Sequence, residues 1–248
     1  MHRRYKSPAV VEVVCEFRFV PSEPWDLAVP GLIYDRLRKD LPTRRPVRRL
    51  ETSDRRQGDQ LSHEIRVRPV IRFLSRDEKR FAQVGPDLLS VNHLAPYPGW
   101  GEYCPLIESC YSAYGQVANP KGLSRIGLRY INHIEFPEER GNMKQYFQFL
   151  PYLGPELPKL YGSFRVGVDF PLGPDNRDVL RLQLGSSKPG EEGRSAVALD
   201  LDYYLVQPEA VSTDDALHWV EDAHVALREV FEASITDRLR ERLEILEG

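Results

Sequence analysis

Residues 123–136, LSRIGLRYINHIEF, alternate strictly between two chemically different sets of side chains. Leu128 and Tyr130 fall on one side of an extended chain, whereas Arg129 and His133 fall on the other, because successive strand residues point to opposite faces. A strand with one apolar and one charged face belongs to a sheet that buries a single face. This pattern favours an antiparallel sheet, since parallel sheets are covered on both faces.

The remaining chain shows further strands of this kind, separated by segments with helical spacing and by turns rich in Gly, Pro and Asp. The predicted strands are 10–20, 47–51, 65–74, 80–84, 88–93, 123–136, 161–170, 179–186 and 196–206, with a polar turn at 54–60. The predicted helices are 25–41, 103–117, 142–153 and a long C-terminal helix over 214–246.

This order of elements predicts an α+β fold over a single unit, 1–248. We interpret it as two diverged copies of one unit, residues 8–118 and 123–247, each built as a strand, a helix, three or four strands and a helix. Meandering strands with helices segregated between them predict an antiparallel sheet with the helices on one face.

The composition is ordinary for a globular protein: 248 residues, 41% hydrophobic, with a formal net charge of -3. Basic residues are concentrated in 1–80, and the rest of the chain carries an acidic excess. Three cysteines do not make a disulfide framework. The sequence has no apolar run of transmembrane or signal-peptide length, so we expect a cytoplasmic protein.

Several segments carry a resemblance to a known family, and the strongest is RIGLRYIN at 125–132. The sequence resembles an uncharacterised, sporadically distributed prokaryotic family to which no activity is assigned. The resemblance implies an accessory protein of patchily inherited loci, such as mobile or antiviral defence genes. It carries no catalytic residues over to this chain. The other matching segments are 8–13, 16–19, 73–77, 83–87, 92–100 and 231–237.

The polar residues of 123–136 suggest a ligand pocket. Buried Arg and Asn side chains need partners, because an unpaired buried polar group costs about 1–3 kcal/mol. One interpretation is that these residues tie the sheet to the 97–100 loop or to an acidic strand. The alternative is a polar pocket for an anionic or peptide ligand. Its candidate residues are Arg129, Tyr130, Asn132, His133, Tyr97 and Trp100.

Asp200 and Asp202 are the weak candidates for a metal site. They alternate along a predicted strand, so both carboxylates project from one face. Two such carboxylates about 7 Å apart can bind Mg²⁺ or Mn²⁺. A solvated strand face opposite Arg or Lys is the commoner use of this pattern. We therefore predict neither a metal nor a cofactor, and keep a metal-dependent enzyme as an alternative.

A basic tract in the first third of the chain is the candidate nucleic-acid contact. Clustered arginines can neutralise phosphates, although aromatic residues for base stacking are absent from this tract. A mobility-shift assay across salt concentrations tests this alternative, because phosphate contacts weaken as salt rises. The tract contains Arg44, Arg45, Arg48, Arg49, Arg55, Arg56, Arg66 and Arg68.

The end of the predicted C-terminal helix is the candidate partner surface, because a narrow leucine seam there is flanked by charges. Its residues are Leu239, Arg242, Leu243 and Leu246. We expect a non-enzymatic binding or assembly component that acts through protein–protein contacts. It would be an accessory subunit of a prokaryotic defence or mobile-element system. Its partner would be the product of a neighbouring gene or a second copy of this chain.

Overall fold

The computed structural model describes residues 4–20, 25–57, 60–136, 143–158, 162–190 and 194–246, without the side chains of residues 4, 50–57, 60–68 and 246. The helices are α1 (Val29–Leu37), α2 (Trp100–Ala118), α3 (Ala216–Ser234) and α4 (Asp237–Arg242). The strands are β1 (Arg4–Tyr5), β2 (Val10–Phe19), β3 (Thr43–Gln57), β4 (Gln60–Leu74), β5 (Arg80–Gly85), β6 (Leu88–Leu94), β7 (Leu123–Phe136), β8 (Arg165–Leu172), β9 (Asp178–Ser187), β10 (Ser195–Leu205) and β11 (Ile245–Leu246).

One open antiparallel sheet organises the molecule, and it confirms the predicted α+β class. Within the described residues it has nine strands in the order β3-β4-β5-β6-β2-β7-β10-β9-β8. Strands β2 and β7 meet at the centre, and the strands of the two predicted units lie on either side of them. The two-unit interpretation itself stays a prediction. The short strands β1 and β11 form a separate pair.

The hydrophobic core lies between one face of the sheet and the helices. Alternation along β2 and β7 places Phe17 and Leu128 on this face, where both are fully buried. Helix α2 packs on it through Tyr103 and Tyr114, whose hydroxyls donate to backbone oxygens of Val91 (2.7 Å) and Gly85 (3.0 Å). Each fully buried large apolar side chain contributes roughly 1.5–3 kcal/mol.

Several predicted elements agree with the structure, and two strands are longer than predicted. The strand over 123–136 has the predicted bounds, and the hairpin over 80–93 is present. Strands β3 and β4 continue through most of the predicted 54–60 turn. Their polar sequence hid this extension, because charged side chains are unusual in strands.

The helix predicted over 142–153 is wrong. Among the residues described there, only Met143–Gln145 form a single 3-10 turn. Tyr146 and Phe147 are buried as predicted, but Phe147 pairs with Ile235 in an isolated bridge. The backbone bonds of this segment therefore go to the junction between α3 and α4 instead of closing helical turns.

The predicted C-terminal helix is present as α3 but is shorter than predicted, because the chain leaves the helical conformation at Ile235. There Thr236 donates its backbone N–H to the Tyr146 oxygen at 3.0 Å. The short helix α4 then folds back onto this chain's core, where Leu239 and Leu243 are buried. These two leucines are not available as an exposed seam.

No helix among the described residues combines the length and the apolarity that crossing a bilayer requires.

Candidate functional site

The sheet face opposite the helices, here called the open face, is lined by polar side chains. The same alternation that buries Phe17 turns Glu16 and Arg18 toward this face. The side chains form a polar cleft of about 620 Å³, within the ~300–1,000 Å³ of typical ligand sites. The polar cleft is lined by Glu12, Val14, Glu16, Arg18, Arg49, Gln83, Ser90, Asn92, Arg125, Gly127, Arg129, Ile131 and Asp202.

Curvature of the sheet closes one side of the polar cleft. Arg49 on β3 donates a hydrogen bond to Glu16 on β2, although β4, β5 and β6 lie between these strands in the sheet. Neighbouring strands are about 4.8 Å apart, so four steps across a flat sheet would span roughly 19 Å. The β3–β4 hairpin therefore curls over the open face, and Arg49 reaches the centre of the sheet from above.

Glu16 is the electrostatic centre of the polar cleft, with only 8% of its surface exposed. It accepts hydrogen bonds from Arg18 (2.7 Å), Arg125 (3.3 Å) and Arg49. Burial raises the pKa of Glu16, but Arg49, Arg18 and Arg125 together outweigh burial and hold the pKa below its ordinary value. Glu16 is therefore ionised at neutral pH and fixes three cations around itself.

Arg125 lies flat across the floor of the polar cleft because residue 127 is glycine. A β-carbon at Gly127 would lie 2.7 Å from the Arg125 Nη1 atom. In this position the guanidinium joins Glu16 to Asp202, at 3.3 and 3.5 Å, and covers the ring of Tyr204, with 4.8 Å from Cζ to the ring centroid. Gly127 therefore leaves space for the Arg125 guanidinium.

Asp200 and Asp202 share the open face, as their spacing predicted. Arg129 donates two hydrogen bonds to Asp200, one of them from Nε to Oδ1 at 2.8 Å. Asp202 faces Arg125. Each carboxylate already has an arginine partner. No group of three or more His, Cys, Asp or Glu arranged for a metal ion occurs within the part of the chain that the structure describes.

Asp202 gives the protein a pH-dependent stability. Burial raises the pKa of Asp202 to about 6, against the lowering effect of Arg125 and Arg129. A carboxyl whose pKa is higher in the folded state stabilises the fold when protonated, so this contribution is lost as pH rises from about 4 through 6. Asp202→Asn should gain up to ~3 kcal/mol relative to the wild type over that interval, measured by urea unfolding. A pH-independent difference would contradict this assignment.

The predicted ligand pocket is divided between the two faces of the sheet. Tyr130 and Tyr97 lie under the helices with their hydroxyls 3.2 Å apart, and Tyr130 also contacts His224 Nδ1 at 3.0 Å. Trp100 stacks on His224 with ring centroids 4.0 Å apart. These side chains form a partly buried polar network between the sheet and the helices. No sequence pattern indicated that His224 belongs to it.

The other three pocket candidates have structural partners elsewhere. Asn132 is buried on the helix side and donates to the Leu199 oxygen at 3.1 Å. Arg129 and His133 project from the opposite face, where His133 lies 3.1 Å from the Lys188 oxygen. Of the six predicted pocket residues, therefore, Arg129 lines the polar cleft.

The basic tract is distributed over both faces of strand β3. Arg45 pairs with Glu78 and Arg49 with Glu16 on the open face. Arg44 lies on the helix side, with its Cζ atom 5.2 Å from the centroid of the Tyr34 ring. Arg48 directly precedes Arg49 in the strand and therefore points to the opposite face. The side chains of Arg55, Arg56, Arg66 and Arg68 lie outside the described residues, as does that of Leu246. The nucleic-acid alternative stays a prediction.

Sequence reasoning missed the central residues of the polar cleft, Arg18, Arg125 and Gly127. The available signal was alternation, since Arg125, Gly127 and Arg129 all occupy the face opposite the apolar residues.

No protein-family model matches this chain, and no curated protein matches it.

Proposed function

We propose that this protein is a non-enzymatic binding component, and that its polar cleft holds an acidic segment of a protein partner. The observation that supports this is the surplus of guanidinium donors around the polar cleft. Four arginines line it, against the carboxylates of Glu12, Glu16 and Asp202; Arg129 is paired with Asp200, and the other three share the carboxylates inside the cleft. Each guanidinium has five donors in a planar fork suited to carboxylates.

Arg49 identifies where an acidic side chain would bind. Its Nη1 atom is buried without a hydrogen-bond partner, while its Nη2 atom is held by Glu16. A buried donor left unpaired costs about 1–3 kcal/mol, so a carboxylate supplied by a partner would recover that free energy. Glu16 holds the other side of this guanidinium, so binding would require only the groups that cover Nη1 to move.

The biological setting of the proposal comes from the family resemblance, which implies an accessory subunit of a prokaryotic defence or mobile-element system. The partner would then be encoded near this protein. The metal-dependent alternative has less support, because arginines occupy both candidate carboxylates.

The variant Gly127→Ala tests the binding proposal. A methyl group at residue 127 displaces the Arg125 guanidinium, which is a flexible side-chain end, so the fold should keep its stability to within about 1 kcal/mol. Peptides selected on the wild-type protein from a random 12-residue display library should be rich in Asp and Glu. Their affinity should fall at least tenfold in Gly127→Ala and in Arg125→Gln, and should weaken as salt rises.

Arg242→Gln is the matched control, because Arg242 is exposed on α4, away from the open face, and should leave peptide affinity unchanged. A product of a neighbouring gene that co-purifies with the wild type should be tested on the same variants. Selected peptides without acidic residues, or with equal affinity for all variants, would refute the proposal.

A further inference from the structure

Among the strands that the structure describes, β8 is an edge of the sheet, and its apolar side is only partly covered. It pairs with β9 and ends the strand order. Val168 and Phe170 point to the helix side of the sheet, opposite Leu182 and Leu180, yet they are 38% and 40% exposed. An edge strand with exposed apolar side chains is a template for pairing with another strand.

The backbone groups that face outward from this edge can be assigned. The Ser186 N–H donates to the Phe164 oxygen at 2.9 Å, and these residues lie opposite each other. Hydrogen-bonded and non-hydrogen-bonded pairs alternate in an antiparallel ladder, so Val166, Val168 and Phe170 bond to β9. The N–H and C=O groups of Arg165, Gly167 and Asp169 therefore point away from the sheet.

We propose that two copies of this chain associate through β8, paired antiparallel about a twofold axis at Gly167. In this register Arg165 of each copy faces Asp169 of the other, and Val166 faces Val168. Phe164 and Phe170, also opposite each other, add an aromatic pair on the apolar side. Such cross-strand pairs are the stabilising units of sheets.

The charges select this register over its neighbours. An axis at residue 165 would place two Arg165 side chains opposite each other, and these would repel. An axis at residue 169 would oppose two Asp169 carboxylates, each already paired with Arg181 of its own chain, and would leave Arg165 without an acidic counterpart. An axis at residue 166 would place Arg165 opposite Gly167, and an axis at residue 168 would place it opposite Pro171. Neither arrangement gives Arg165 an acidic counterpart. Pro171 has no N–H, but it lies outside the central ladder, where residues 165, 167 and 169 form six hydrogen bonds.

The first experiment measures mass against concentration by analytical ultracentrifugation. The wild type should reach the mass of two chains in the micromolar range. Arg165→Asp places two carboxylates in opposition and should weaken association at least tenfold, while Arg242→Asp on α4 should leave it unchanged. A wild type that is monomeric at all concentrations, or a dimer weakened by Arg242→Asp alone, would overturn the proposal.

The second experiment tests the register by cross-linking. Hydrogen-bonded partners have Cα atoms about 5.5 Å apart, within the range that a disulfide spans. In a Cys104→Ser background, Gly167→Cys should oxidise to a covalent dimer. Arg165→Cys should not, because its counterpart lies four residues away along the paired strand. Equal cross-linking of both variants, or none of either, would contradict a twofold axis at Gly167.

Discussion

Replacing Asp178 with alanine should lower the free energy of unfolding by about 3–5 kcal/mol, the loss typical of breaking one partner of a buried charged pair. Asp178 is fully buried where β9 begins. It accepts hydrogen bonds from the Trp219 indole at 2.9 Å, from Arg177 at 2.8 Å and from Tyr203 at 3.3 Å. Alanine would leave these donors unpaired between α3 and the sheet.

Urea unfolding monitored by circular dichroism measures this effect. Asp222→Ala is the control, because Asp222 is exposed on α3, where it contacts His218 at 3.8 Å and acts on Arg177 and Tyr203 through space without a hydrogen bond to either; it should change stability by less than about 0.5 kcal/mol. Asp178→Asn should fall between the two, since an amide oxygen can still accept from Trp219. Similar losses in Asp178→Ala and Asp222→Ala would mean that the buried carboxylate does not hold α3 on the sheet.

Replacing Glu16 with glutamine should cost about 2–4 kcal/mol, because three guanidiniums would then surround a neutral amide. Glu78→Gln is a closely matched control. Glu78 also pairs with an arginine of β3, but this pair is half exposed and should contribute less than about 1 kcal/mol.

The Glu16 effect should depend on pH in the direction opposite to that of Asp202. The pKa of Glu16 is lowered in the folded state, so its stabilising contribution is present above the unfolded-state pKa of about 4.5 and is lost as pH falls through the lower folded value. The difference between wild type and Glu16→Gln should therefore shrink in acid. In a double-mutant cycle, Glu16→Gln and Arg49→Gln should be non-additive, since Arg49 joins the curled hairpin to the same carboxylate.

Equal stability losses in Glu16→Gln and Glu78→Gln at neutral pH would show that the buried cluster contributes no more than a surface ion pair.

The sequence was sufficient to predict most of the sheet, because strand alternation depends on neighbouring residues alone. The strand over 123–136 and the hairpin over 80–93 are both read from period-2 patterns. The prediction of a helix over 142–153 was wrong because the apolar residues there are buried by a bridge to Ile235, which is distant in sequence. The break in the C-terminal helix has the same cause, since the competing partner of Ile235 was not visible locally.

The polar cleft was harder to predict because its residues come from six strands. Alternation indicated that Arg129 and Asp202 face away from the core, but not that β3 brings Arg49 over them. That contact depends on the curvature of the whole sheet, which no single segment encodes. The role of Gly127 was hidden for the same reason, because it follows from where the Arg125 side chain lies.

The central pairing of β2 with β7 has a consequence for the order in which the protein is made. Cys15 lies opposite Leu128, so more than half of the chain is synthesised before β2 can find this neighbour. Until then a long strand with apolar side chains has a free edge at the ribosome, which is a state prone to intermolecular pairing. Closing so large a loop is also slow, as is usual for contacts between distant residues. Efficient production of this protein therefore depends on how well that edge is shielded during translation.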